Sequence, residues 1–422
     1  MPDQPVVLAF SGGLDTSYCL VSLRERSRRV VTVTVNTGGM LEAEMGEIEA
    51  RALALGAESH VTIDARDRLY DEFVSHLLKA NYLRNGVYPS CVGVERMVQA
   101  EEVTKEALRL EAAAIAHGST GAGNDHVRFD VVIRATAPEM PIVALVRDES
   151  HTREAETEYL RARGVDVPEK TSSYSFNHGM LGTTIGGKET YGSTEYLPEE
   201  AWPLTRSIDA APDAPQELTV RYERGLPVGC VFPGELPDGW EGGTGGGHRL
   251  LTELNKLGAV HGVGRGVHTG QTIMGIMGRL GFEAPGYFIL LAGHRELERL
   301  VLSNRQQSLK AYLGGIYGDQ LHEGVYYDPV MRDIEAFLDA TQERVDGEVR
   351  LKLHKGNVVA LGCSSVFSLL EATRELGSTY GHGSSLWSGD EARAFARLYS
   401  TSAIVVNAAG DAGRRAREAG DR

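Results

Sequence analysis

Cysteine is scarce in this 422-residue sequence, with Cys19, Cys91, Cys230 and Cys363 far apart and neither a CxxC pair nor a nearby histidine pair. That spacing argues against a disulfide framework or a zinc site and suits a reducing compartment, here the cytoplasm. Long apolar runs are also missing. None approaches the roughly 18–20 residues a membrane helix needs, so no membrane partner is expected. The opening MPDQPVVLAFSGG lacks a basic n-region, and its apolar stretch is too short for a signal peptide; it reads as a first strand. Positive charge is in deficit, 43 Lys and Arg against 58 Asp and Glu, a formal charge of −15. Without a basic stripe to displace counterions, nucleic acid is a poor partner. No internal repeat is found. What remains is an ordinary globular composition, 42% hydrophobic and 24% charged, on a chain long enough for two domains.

Up to about residue 165, strand-like and helix-like segments alternate. Val6 to Phe10, Val30 to Val35, Val61 to Asp64, Ala113 to His117 and Ile142 to Leu145 read as strands. Gly12 to Arg26, Leu41 to Leu55, a stretch ending at Ala80 and Glu95 to Leu110 read as helices. This alternation predicts an α/β domain, a parallel sheet with helices on both faces, over residues 1–168. From 169 to 382 a second, α+β domain is expected. Glu217 to Tyr222, Gly225 to Val231 and Gly347 to Leu353 alternate as antiparallel strands, with helices at Arg295 to Tyr317 and Val330 to Val345. Residues 383–422 hold one expected helix, Asp390 to Tyr399, and a charged end expected to fray. The glycine run from Gly242 to Gly247 reads as a surface connection.

The segment LAFSGGLDTS joins the first strand to the first helix, where α/β sheets bind ligands. Gly12 and Gly13 let backbone N–H groups approach an anion, Ser11, Thr16 and Ser17 add hydroxyls, and the helix N-terminus favours negative charge. Asp15 would repel phosphates unless a divalent cation lies between, so Mg²⁺ is expected there. The loop is neither a Walker A motif, lacking GKS or GKT, nor the GxGxxG fingerprint. A second segment, HGSTGAGNDHVRFD from His117 to Asp130, also follows a strand and opens a helix. Its glycines, Thr120, Asn124, Asp125 and Arg128 offer both a cation for a carboxylate and acceptors for an ammonium, which is what an amino-acid substrate requires.

The first segment resembles the PP-loop of the ATP pyrophosphatases. With the second, and with YP at Tyr88, YS at Tyr174, HGVGR at His261, FEAPG at Phe282 and KGNV at Lys355, the chain is similar to the argininosuccinate synthase family over about residues 5–365. The resemblance implies a carbon–nitrogen ligase of arginine biosynthesis. ATP would adenylate the ureido oxygen of L-citrulline, and L-aspartate would displace AMP. ATP would be held by Ala9, Phe10, Ser11, Gly12, Gly13, Leu14, Asp15, Thr16, Ser17, Val35 and Gly118. Aspartate would meet Thr120, Asn124 and Asp125. Citrulline would meet Tyr88, Asn124, Arg128, Ser175 and Thr184, the last in place of the family's serine. Asp15, Asp125 and Arg128 are the candidate catalytic residues, acting by charge and orientation rather than as acids or bases. No resident metal site of protein ligands alone is expected, and the family implies a homotetramer.

Several positions depart from the family's pattern. Val35 to Gly39 replaces ADVGQ, and Cys91 and Val92 follow YP in place of GT. The glutamate and tyrosine that the family sets against citrulline in its second domain are Gly270 and Phe282 here. The alternatives to citrulline ligation are the same chemistry on another ureido or amide acceptor, a tRNA-modifying PP-loop thiolase, or a non-catalytic nucleotide-binding paralogue. The absence of CxxC and the acidic charge count against the thiolase, and the intact Asp15, Asn124, Asp125 and Arg128 count against the paralogue.

Overall fold

The computed structural model describes residues 4–420 apart from 27, 168–173, 236, 238–239, 241–244 and 381–382, so residues 242–244 of the glycine run lie outside it. Residues 1–367 form one compact unit and 368–422 a second.

The first unit begins with β1 (Val6–Ala9), α1 (Leu14–Glu25), β2 (Val30–Asn36), α2 (Glu42–Ala54) and β3 (Ser59–Asp64). The chain continues through α3 (Arg66–Leu69), a π-helical turn at Tyr70–Val74, α4 (Ser75–Ala80) and α5 (Glu95–Arg109). Then come β4 (Ala114–Ala116), α6 (Asp125–Thr136), β5 (Ile142–Val143), α7 (Leu145–Asp148) and α8 (Arg153–Arg161). The five strands pair in parallel in the order β3-β2-β1-β4-β5. Every residue of β2 is buried, as a sheet covered on both faces requires. Chain order reverses between the neighbours β1 and β4, the switch point at which such sheets bind ligands. The expected α/β fold is therefore present.

Two antiparallel sheets follow. One has the order β10-β11-β7-β6, from β6 (Ser175–His178), β7 (Thr183–Gly186), β10 (Arg265–Gln271) and β11 (Met277–Glu283). The other, β13-β12-β8-β9, contains β8 (Gln216–Glu223), β9 (Leu226–Val231), β12 (Gly347–His354) and β13 (Asn357–Ser364). Between them run α9 (Gly247–Val260), α10 (Pro285–Val301), α11 (Asn304–Glu323) and α12 (Pro329–Gln342). The helix expected over Arg295 to Tyr317 is two helices. Leu302 is extended, and Ser303 caps a new helix in a reciprocal box with Gln306. A continuous core joins the parallel sheet (Val7, Val33) to the later region (Tyr287, Leu351).

The second unit comprises α13 (Leu369–Glu375), a hairpin of β14 (Ser378–Thr379) and β15 (Gly383–Ser384), α14 (Gly389–Tyr399) and α15 (Thr401–Gly420). The closing charged segment, expected to fray, is helical to Gly420.

Candidate active site

Two loops leave the carboxyl ends of β1 and β4 side by side. In the first, Gly12 takes φ +72°, the left-handed region that a glycine enters without penalty. The loop bonds to itself: the Gly13 N–H donates to Ser11 Oγ (3.5 Å), the Ser11 N–H to Thr16 Oγ1 (3.4 Å), and the Thr16 hydroxyl to the Gly13 carbonyl (3.3 Å). No side chain caps α1, whose N-terminal cap residue is Gly13, so its first N–H groups are left for an anion. Phe10 is locked to β2, its N–H donating to Val33 and its carbonyl accepting from Thr34. Val35 is buried on the same strand. Ser17 is fully buried, and its hydroxyl accepts from Arg51 Nε at 3.0 Å. The second loop touches the first at Gly118, where a Cβ would stand 3.1 Å from Thr16 Cγ2 and 3.2 Å from the Asp15 carbonyl carbon.

Asp15 projects from the first turn of α1, 3.7 Å from Arg153. Against it lies Glu156 of α8, 1% exposed, with Oε2 buried and unpartnered. Burial, reinforced by the charge and hydrogen bond of Asp15, pushes the Glu156 carboxyl up to about 8.

Asn124 and Asp125 open α6. Asp125 receives Arg96 Nε on Oδ2 (2.9 Å) and Arg128 Nη1 on Oδ1 (2.8 Å). Burial pushes the Asp125 carboxyl up, but the two guanidiniums outweigh it and hold the group below the usual range. Arg128 is buried and also donates to the His322 carbonyl (2.8 Å) and to His322 Nε2 (3.2 Å). A guanidinium can only donate, so that imidazole nitrogen accepts and Nδ1 donates to Ser90 Oγ at 3.0 Å. Burial and Arg128 keep the His322 ring well below the imidazole range, hence neutral. Asn124 Oδ1 accepts from the Ile273 N–H (2.9 Å), so the tip of the β10–β11 hairpin reaches the start of α6. Thr120 lies exposed in the loop between β4 and α6.

Tyr88, buried, stacks on His268 (5.0 Å between rings) and leans on Phe282 (5.3 Å). Thr184 stands across from Phe282 in the β7–β11 pairing and is buried. Ser175 sits one strand further out, opposite Gly186, and is exposed. The structure therefore gathers Asp125, Arg128, Tyr88 and Thr184 with Phe282. Among the described residues, no hydrogen bond, ion pair or ring contact joins Ser175 to them.

Sequence reading missed Arg96, His322, His268, Glu95 and Glu156. Arg96 and Glu95 had a faint signal, charges facing the apolar side of α5. His322 had none, since it meets Arg128 across 194 positions. Glu95 is buried, accepting from Thr37 Oγ1 (2.9 Å) and the Met180 N–H (2.7 Å), and burial pushes its carboxyl up to about 7. His117 is structural in this form. Its Nδ1 accepts from the Ser119 N–H (3.3 Å) and its Nε2 meets Asp130 at 3.1 Å, which fixes the loop that carries Gly118.

Residues 5–166 match the model of the argininosuccinate synthase N-terminal HUP domain, and residues 174–404 match that of the C-terminal domain. An argininosuccinate synthase of Xanthomonas campestris pv. campestris is 38% identical over 419 residues, covering 96% of this chain and 98% of that protein. Proteins of the same name from Pyrobaculum aerophilum (35% over 405 residues, 95% and 98% covered) and Methanocaldococcus jannaschii (35% over 365 residues, 86% and 89%) are similar too. The chain belongs to the argininosuccinate synthase family.

Proposed function

We propose that this protein joins L-citrulline to L-aspartate at the expense of ATP, giving argininosuccinate, AMP and pyrophosphate. The observation that carries this reading is the meeting of two anion-ready loops at the β1/β4 switch point, beside a helix start that presents Asn124, Asp125 and Arg128. The backbone from Ala9 to Ser17 and at Gly118 cradles the ATP phosphates. The citrulline ureido oxygen attacks the α-phosphorus and pyrophosphate leaves. The aspartate amine then attacks the ureido carbon, and the C–O bond breaks so that AMP departs with that oxygen.

Thr120, Asn124 and Asp125 hold aspartate. Tyr88, Asn124, Arg128, Ser175 and Thr184 hold citrulline, and the fixed guanidinium of Arg128 stabilises charge without reorganising. Mg²⁺ fits the site: two adjacent carboxylates, Asp15 and Glu156, one with a bare buried oxygen, suit a cation otherwise held by phosphates. When bound, it neutralises phosphate charge. The family models meet between residues 166 and 174, which supports a boundary between a nucleotide domain over 1–168 and a synthetase domain, to which we assign 169–382, with 383–422 as a tail. Among the described residues no helix is long and apolar enough to cross a membrane. A cytoplasmic homotetramer is the state we assign. A second reading, an acceptor without a free amine, is favoured by the absence of a carboxylate at Gly270. Citrulline labelled with ¹⁸O in its ureido group tests the reaction. Transfer of the label into AMP supports it, and unlabelled AMP beside labelled product sinks it.

A further inference from the structure

The face of β10 toward Tyr88 is built from glycines around one histidine. Residues two apart share a face, so Gly266, His268 and Gly270 point together, with Gly266 paired across to Phe282 and His268 to Leu280. A Cβ at Gly266 would collide with the Phe282 ring, and one at Gly270 would stand 2.7 Å from His268 Nε2 and 3.0 Å from Asn85 Nδ2. The imidazole and the amide therefore close over Gly270, and a side chain there would have to push them aside. His268 is 6% exposed, stacks on Tyr88 at 26° between ring planes, and has Nδ1 buried without a partner.

An α-amino-acid acceptor brings an ammonium group that needs a lone pair. Among the described residues, the carboxylates nearest Tyr88 and His268 are already engaged. Asp125 holds Arg96 and Arg128, while Asp319 and Glu323 pair with Arg84. Among the described residues, the charged and titratable groups around His268 are Arg84, Tyr88 and His322, none of them a carboxylate. Burial, with the Arg84 charge, holds the His268 ring below the ordinary imidazole range, so at neutral pH one ring nitrogen keeps its lone pair.

We propose that His268 is the residue that receives the α-ammonium of the ureido acceptor, since no carboxylate among the described residues around it is left for that role. The assignment rests on the ligase reading above. It makes His268 a specificity determinant: a hydrogen bond to a charged group separates acceptors with and without the amine by about 10–100-fold in kcat/KM.

The test compares L-citrulline with 5-ureidopentanoate, which lacks only the amine, by pyrophosphate release with ATP, Mg²⁺ and L-aspartate. Wild type is expected to prefer citrulline by that factor. His268→Ala is expected to bring the preference close to 1, mostly through KM for citrulline, with ATP affinity unchanged. His268→Gln, which keeps an acceptor and most of the volume, restores part of the preference and serves if the alanine variant does not fold. A preference that survives in both variants overturns the assignment. So does a wild type that prefers 5-ureidopentanoate or N-acetylcitrulline, which would mean an acceptor without a free amine. If neither ureido compound supports turnover while ATP still binds, the ligase reading falls first and the assignment with it.

Discussion

Replacing Asp125 with alanine should unbalance the site in a measurable way. Its two oxygens receive Arg96 at 2.9 Å and Arg128 at 2.8 Å, and those side chains are 17% and 4% exposed. Removing one partner of a buried ion pair leaves an uncompensated charge, at a cost of about 3–5 kcal/mol. Asp125 itself is 38% exposed, so water screens part of the loss and about 2–4 kcal/mol is the working figure. Asp125→Asn keeps one acceptor and should lose about half as much. The double variant with Arg96→Met should be less destabilised than the sum of the singles, by about 1–2 kcal/mol, because each single change strands the other's partner. Urea unfolding at neutral pH reads wild type, the three single variants and the double variant. An alanine variant within about 0.5 kcal/mol of wild type, or strict additivity, would refute the claim that this carboxylate holds the two guanidiniums.

Gly118→Ala would push a methyl to 3.1 Å from Thr16 Cγ2 and 3.2 Å from the backbone of Asp15 and Thr16. Overpacking there should weaken ATP by about tenfold in calorimetry, and an unchanged Kd would contradict the contact between the loops. Glu95 ionises at about 7 when folded and at about 4.3 when unfolded. The unfolded chain thus loses its proton first, and this group's contribution to stability falls as pH rises from about 4.5 to 7, by on the order of 3 kcal/mol. Glu95→Gln should flatten the change between pH 5 and 8, and identical pH profiles for the two proteins would rule the shift out. Burial pushes the thiols of Cys19 and Cys230 up to about 12 and that of Cys91 well above the ordinary thiol range. A disulfide-exchange reagent at pH 8 should label them only after denaturation, and rapid labelling of Cys19 in the native protein would show the reading of α1 to be wrong.

The parallel half of the fold was legible because its strands are short apolar runs between helix-length segments, with both loops marked by glycine and hydroxyl residues. The β6–β7 and β10–β11 sheet was not. Its strands carry Gly266, Gly270, Gly278 and Gly281 among Arg265, Thr269, Gln271 and Arg279, so no alternating apolar pattern survives. The break in the helix expected at Arg295 to Tyr317 hides in Ser303 and Gln306, a capping box without Gly or Pro to mark it. In the site, Asp125 and Arg128 announced themselves through spacing on one helix. Arg96, His268 and His322 reach the same place from distant segments, and only tertiary packing brings them there.

The direct test of the whole account is turnover by the purified protein with ATP, Mg²⁺, L-citrulline and L-aspartate, following pyrophosphate and identifying the product by mass. One pyrophosphate and one AMP are expected per argininosuccinate, with product formed only when both amino acids are present. Pyrophosphate release indifferent to citrulline, or a product lacking either amino acid, would contradict it.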